Sequence, residues 1–178
     1  MQADAADAPP RWLMIAATLL TLTAIGTVLA VAASRRTPPA PVAIAAVPAA
    51  QANAPECRAL LGDVPDRLGD YRRSVTAEPT PAGTAAWRSS SGGEPVILRC
   101  GLGRPAEFVV GAPIQMVDAV SWFRLQDPDS TRITWVCVDR PVYVAVTLPD
   151  GSGPTPIQEL SGAIERTMAR QPIQPGRP

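Results

Sequence analysis

The chain has 178 residues, enough for one globular domain with non-globular segments attached. Its 16 basic residues, all Arg, balance 16 acidic ones, and Glu56 to Arg170 carries 12 Arg against 14 Asp and Glu. That balance gives nucleic acid no basic field to bind. The chain has neither His nor Lys, which excludes Ser–His and Cys–His nucleophile pairs, imidazole metal sites, Schiff bases and P-loops.

Residues 1–11 form a short tail with Asp4, Asp7 and Arg11. Residues 12–33, from Trp12 to Ala33, are uncharged and apolar, and their length matches the roughly 20 residues that cross a hydrocarbon core. Trp12 beside Arg11, and Arg35 with Arg36, suit the two interfaces, so a transmembrane signal anchor is expected. Ala30-Val31-Ala32 offers a small-x-small cleavage pattern, making a cleaved and secreted domain the alternative. The apolar run exceeds the roughly 7–15 residues of a cleaved signal, which favours an uncleaved anchor. The positive-inside rule leans towards a cytoplasmic C-terminus by one Arg only, and large domains translocate largely regardless of charge. An outward domain is expected from the cysteines and from the resemblance given below. Residues 34–55, with Pro38, Pro39, Pro41, Pro48 and Pro55 among Ala and Val, are expected as an extended tether.

Residues 56–170 are expected to fold as one α+β domain. Glu56 to Leu61 is a short helix stopped by Gly62 and Pro65. Val96–Cys100, Val120–Gln126, Thr131–Val138 and Val142–Leu148 are strands bounded by turn residues. Ala85–Ser89, and more weakly Arg72–Thr76, add edge strands. Asp127-Pro128-Asp129-Ser130 suits a type I turn. Alternation puts Val142, Val144, Val146 and Leu148 on one face, and Ile133, Trp135 and Cys137 together. A closing helix from about Pro156 to Met168 has Thr155 as N-cap, Pro156 at N1 and Gln158 completing a capping box. Its apolar stripe is Ile157, Leu160, Ile164 and Met168. The product is a small antiparallel sheet of about four to five strands, ending in a C-terminal meander and covered by this helix. Residues 171–178 are expected as a disordered tail.

Cys57, Cys100 and Cys137 allow three alternative single bridges. A Cys57–Cys100 bridge would staple the short helix to the sheet. Cys137 alternates with Trp135 and Ile133 as a small buried hydrophobe, and no Cys-x-x-Cys spacing marks a redox pair. Trp87, Trp122 and Trp135 are large packing anchors, with an aromatic platform for a glycan or partner as the sharper reading.

These residues resemble the membrane-anchored actinobacterial proteins grouped as domain-of-unknown-function family 3515. The likeness rests on Cys57 with Leu60 and Pro65, Ala86-Trp87, and Val96-Ile97-Leu98-Arg99-Cys100-Gly101 with Arg104-Pro105. It continues through Trp122 and Arg140-Pro141-Val142-Tyr143-Val144, covering about Glu56 to Ala169. The resemblance implies an exported domain on an N-terminal anchor, with Cys57 and Cys100 paired, and implies no activity. Ser89-Ser90-Ser91-Gly92-Gly93 is a longer insertion than the family pattern, and Cys137 stands where a residue such as Thr is expected.

The expected function is a non-catalytic binding module of the cell envelope, held in the lipid bilayer through residues 12–33. Its partner is an envelope protein or wall component of unspecified identity, and neither cofactor, metal nor nucleic acid is expected. Arg99 and Arg140 are candidate interaction residues because a guanidinium fork suits carboxylates and phosphates, with a surface or structural salt bridge to Asp139, Asp118 or Glu107 as the alternative for each. Trp87 and Trp122 are the candidate aromatic contacts. The alternative is a wall-polymer hydrolase using a carboxylate pair drawn from Asp118, Asp127, Asp129 and Asp139.

Overall fold

The structure, a computed structural model, describes residues 10–34, 40–125 and 130–177. The chain divides between Pro39 and Ala40 into two compact units. The expected roles of Asp4, Asp7, Arg35, Arg36, Asp127 and Asp129 fall outside the described residues.

The first unit is helix α1, Arg11–Ser34. At 1.5 Å per residue its 24 residues span about 36 Å, more than the thickness of a hydrocarbon core. The stretch Arg11–Val31 has a mean hydropathy of 2.1, making α1 long and apolar enough to cross a membrane. Its threonines do not leave bare hydroxyls. Thr18, Thr21, Thr23 and Thr27 donate to the carbonyls of Met14, Ala17, Leu19 and Thr23 at 3.0, 3.1, 2.7 and 2.8 Å, which satisfies them within the helix, as a hydrocarbon core would require.

The second unit opens with α2, Pro55–Asp63. Strands β1 Arg67–Leu68, β2 Tyr71–Arg73, β3 Thr84–Ser89 and β4 Val96–Leu102 follow. Then come β5 Ile114–Val117, β6 Val120–Leu125, β7 Ile133–Cys137 and β8 Tyr143–Leu148, and finally α3, Thr155–Thr167. All eight strands join one sheet in the order β1-β2-β3-β4-β8-β7-β6-β5, antiparallel throughout. The sheet is larger than the four to five strands expected. The strands not expected are β1, of two residues, and β5, of four, too short for an alternating pattern to declare itself.

The expected faces are observed. Val96, Leu98, Cys100, Cys137, Val144, Val146 and Leu148 lie in one core with Leu60 of α2 and Ile157, Leu160, Ile164 and Met168 of α3. The opposite face is also covered. Phe108 packs 5.2 Å from Phe123, over Val136, Val138 and Ala145, with Ile173 against them. Val42 and Ile44 sit on Ala86 and Ile97.

Two expected boundaries are therefore corrected. Residues 40–55 are part of the folded unit rather than tether. Val42 bridges Thr76 in parallel, its N–H donating to the Val75 carbonyl at 2.8 Å and its carbonyl accepting from Ala77 N–H at 2.9 Å. Alternation of Val42 and Ile44 lets an extended, proline-flanked segment hide apolar side chains that a tether would leave wet. The tail is likewise docked. Gln171 N–H donates to Asp139 O at 2.9 Å, and Gly176 exchanges bonds with Phe108 O and Val110 N–H at 2.8 and 3.0 Å.

Gly101 explains the Arg-Cys-Gly run. It has φ 86° and sits where the β4–β8 register shifts, with its carbonyl receiving Gln51 N–H at 3.1 Å. A Cβ there would stand 2.2 Å from Ala52 N, so only glycine admits this backbone crossing.

The capping box of α3 does not form. Pro154 occupies the N-cap position, no side chain caps the helix, and the Pro154 carbonyl receives Gln158 N–H at 3.2 Å. Gly162 lies inside α3, where an added Cβ meets only the mobile end of Arg166 at 3.3 Å. Gly162→Ala should therefore stabilise the unit by about 0.5–1 kcal/mol. Thermal unfolding of the full chain in detergent micelles should show a Tm roughly 3 °C higher. A lower Tm would mean that the Asp63–Arg166 pair beside it cannot yield.

Candidate functional site

The residues singled out from sequence do not meet in one place. Trp87 and Trp122 are both 0% exposed. The Trp87 indole donates to Pro65 O at 2.8 Å beneath the Arg73 guanidinium, 4.9 Å above the ring. The Trp122 indole donates to Ser161 Oγ at 3.0 Å, and Ser161 passes the bond to Ile157 O at 2.7 Å. Both rings are fastened in the core; Trp87 offers a partner no surface, and Trp122 only backs a cavity it shares with Trp135.

Arg140 is buried, not displayed at a turn. Its Nη1 lies 2.8 Å from Asp139 Oδ1, and its Nη2 donates to Ala119 O at 3.0 Å. Asp139, 1% exposed, also accepts from Ser121 N–H at 3.1 Å and lies 3.5 Å from Arg170 Nε. This carboxylate ties β6, the β7–β8 connection and the chain after α3 together, so it is committed to structure. Asp127 and Asp129 lie outside the described residues.

Arg99 is half-buried on the face of β4 opposite the helices. Its Nε is buried with no hydrogen-bond partner among the described residues. Burial, then the neighbouring Arg132 charge, pull its guanidinium below the usual Arg range. The adjoining space is a crevice of about 10 Å³, room for a water and no more.

Cys57 and Cys100 form the disulfide, with Cα atoms 5.6 Å apart. Cys137 is a free, buried thiol that donates to Asp139 Oδ1 at 3.6 Å. Burial first, then the Asp139 charge, push it up to about 12 from an ordinary 9.0. The unfolded thiol ionises first as pH rises, so the folded state loses stability between pH 9.0 and 12. Cys137→Ala should flatten the stability profile in that window. In the native protein, iodoacetamide should label Cys137 only after denaturant is added; ready labelling at pH 8 would contradict its burial.

The third tryptophan behaves differently. Trp135, on β7, is only partly buried, and its indole N–H has no hydrogen-bond partner among the described residues. It lines two adjoining cavities that also share Gln115. The larger, about 500 Å³, lies between β5, the 149–154 loop and the start of α3, over Ile133, Trp135 and Leu148. Its polar side chains are Gln115, Asp118, Asp150, Ser152 and Gln158. The smaller, about 440 Å³, is lined by Trp122, Arg124 and Trp135 beside Pro113 and Ile114.

Local sequence builds this groove. Asp118-Ala119 turns β5 into β6 between the paired Val117 and Val120, and Asp118 adopts φ 51°, which Asp tolerates better than most residues. The edge strand β5 exposes Ile114 at 41% and Met116 at 62%, without the charges or proline that usually guard a sheet edge. Arg124 is paired with Trp135 across β6 and β7, its guanidinium 6.0 Å from the ring centroid. Asp118, Asp150 and Arg124 make no ion pair among the described residues. The sequence reading named Trp135 and Asp118 but missed the edge strand that joins them. Its signal was the short Ile114-Gln115-Met116-Val117 run between Pro113 and an Asp turn.

Comparison with protein families gives one finding. The model of a family described as "Protein of unknown function (DUF3515)" matches residues 17–173. Comparisons with curated proteins and with solved structures give no match.

Proposed function

The chain belongs to the DUF3515 family, and from that premise we propose that it is a membrane-anchored, non-catalytic binding protein whose folded unit works outside the cytoplasm. The observation that carries this reading is Trp135. In a fold that buries its other two domain tryptophans and satisfies their N–H groups, this one is left partly exposed beside two cavities. Pockets of this size with an apolar floor and a few polar groups are the usual form of a ligand site.

The anchor is α1, and the outward orientation is supported by the Cys57–Cys100 bridge, since disulfides persist in oxidising compartments. A binding role is favoured over catalysis because the buried Asp139 is held by four groups and Cys137 is inert. A carboxylate-pair hydrolase is the second reading, and Asp118 with Asp150 on the larger cavity is the pair it would use.

A reporter active only outside the membrane, fused at the C-terminus, should be active, and a cytoplasm-only reporter silent. The reverse pattern would falsify the orientation. A photocrosslinking residue at Met116 should capture a discrete species in native membranes, and the same residue at exposed Val75 should not. Equal or absent capture at Met116 would remove the groove from consideration as the binding surface.

A further inference from the structure

We propose that the groove over Trp135 binds a short peptide that carries an aliphatic amine and a free carboxylate. This rests on the reading of the groove as a binding site and specifies what it takes.

The charges are segregated. Among the described residues the larger cavity has two carboxylates, Asp118 and Asp150, and no basic side chain. Among the described residues the smaller has one guanidinium, Arg124, and no acid. None of the three is neutralised by an ion pair among the described residues. The two cavities meet at Gln115 and Trp135, so acidic and basic halves lie along one floor with an indole between them.

A purely apolar ligand would leave three charges unmatched, and a neutral sugar would use none of them as charges. A polyanion would be repelled by the acidic half. A ligand with a cation and an anion joined by an apolar stem meets every group. Its amine faces Asp118 and Asp150, its stem lies on Trp135, and its carboxylate meets Arg124, whose fork suits carboxylate geometry. At 6.0 Å from the ring, Arg124 sits at the outer range of a cation–π contact, so it can turn to the ligand with little loss. The open Trp135 N–H supplies a donor for a peptide carbonyl, and Gln115 adds an amide at the junction. The volumes suit a peptide of two or three residues.

The test is calorimetric titration of the full chain in detergent micelles with N-acetyl-alanyl-lysine. Two matched peptides accompany it, N-acetyl-alanyl-norleucine without the amine and N-acetyl-alanyl-lysine amide without the carboxylate. The parent should bind more tightly than either. Asp118→Asn with Asp150→Asn should weaken the parent about fivefold and leave the norleucine peptide unchanged, since each exposed pair is modest. Arg124→Gln should weaken the parent similarly and leave the amide unchanged. These three positions are exposed, so the variants keep the fold, and unchanged thermal unfolding verifies it. Equal affinity for all three peptides, or no heat from the parent at about 10 mM, overturns the ligand class. If Met116 still crosslinks in native membranes, only the class has failed; if it does not, the site itself has.

Discussion

Asp139→Ala is expected to cost the folded unit about 3–5 kcal/mol, because it strands the Arg140 guanidinium in the core with its partner gone. Arg140 and Asp139 side chains are 2% and 0% exposed, so water cannot replace what is lost. The change also removes the acceptor for Ser121 N–H and the partner of Arg170. Three separate pieces of chain lose their common tie at once. Thermal unfolding in micelles should show a drop of roughly 10–15 °C. Asp139→Asn should fall in between, since an amide oxygen can still accept from Ser121 while the charge pairing is gone. Asp63→Ala is the matching control, because its pair with Arg166 is exposed on both sides and should cost no more than about 1 kcal/mol. Equal effects at Asp63 and Asp139 would show that burial does not set the value of these pairs.

Loss of the disulfide is the second large effect. Cys57 and Cys100 are 43 residues apart, and releasing a loop of that size costs about 4 kcal/mol in the chain-entropy account. The helix it holds, α2, has only nine residues and no side-chain cap, too short to persist without tertiary contacts. Cys57→Ser and Cys100→Ser should therefore destabilise by similar amounts, and the double variant by little more than either. Peptide mapping without reductant should recover a Cys57–Cys100 peptide and an unpaired Cys137. Costs that simply add in the double variant would mean that each sulfur matters for its packing and not for the crosslink.

The two effects concern the support of the groove and not its lining. The disulfide and the Asp139 network fix the sheet and the two helices. The groove lies where that fixing stops, along an uncharged edge strand and a partly buried tryptophan. Recognition surfaces commonly combine a rigid support with exposed groups whose bonds are unmade.

Some of this was written in local sequence. The 24-residue α1 follows from an uninterrupted apolar run. The core faces of β4, β7 and β8 follow from alternation, and the α3 stripe from helical spacing, because side-chain direction repeats with the backbone and needs no neighbour to define it. Alternation states which residues share a face; it does not state what lands on that face. Only the tertiary structure decided that residues 40–55 and 171–177 pack onto the sheet instead of trailing from it. The same holds for β5, whose four residues become a strand only because β6 lies beside them, and for the choice among Asp139, Asp118 and Glu107 as the partner of Arg140, which the fold settles on Asp139. Trp135 shares its face with the buried Cys137, yet stays open because the groove between β5 and the start of α3 runs over it. Burial and ion pairing depend on groups brought together from distant parts of the chain, and a periodic pattern carries no record of them.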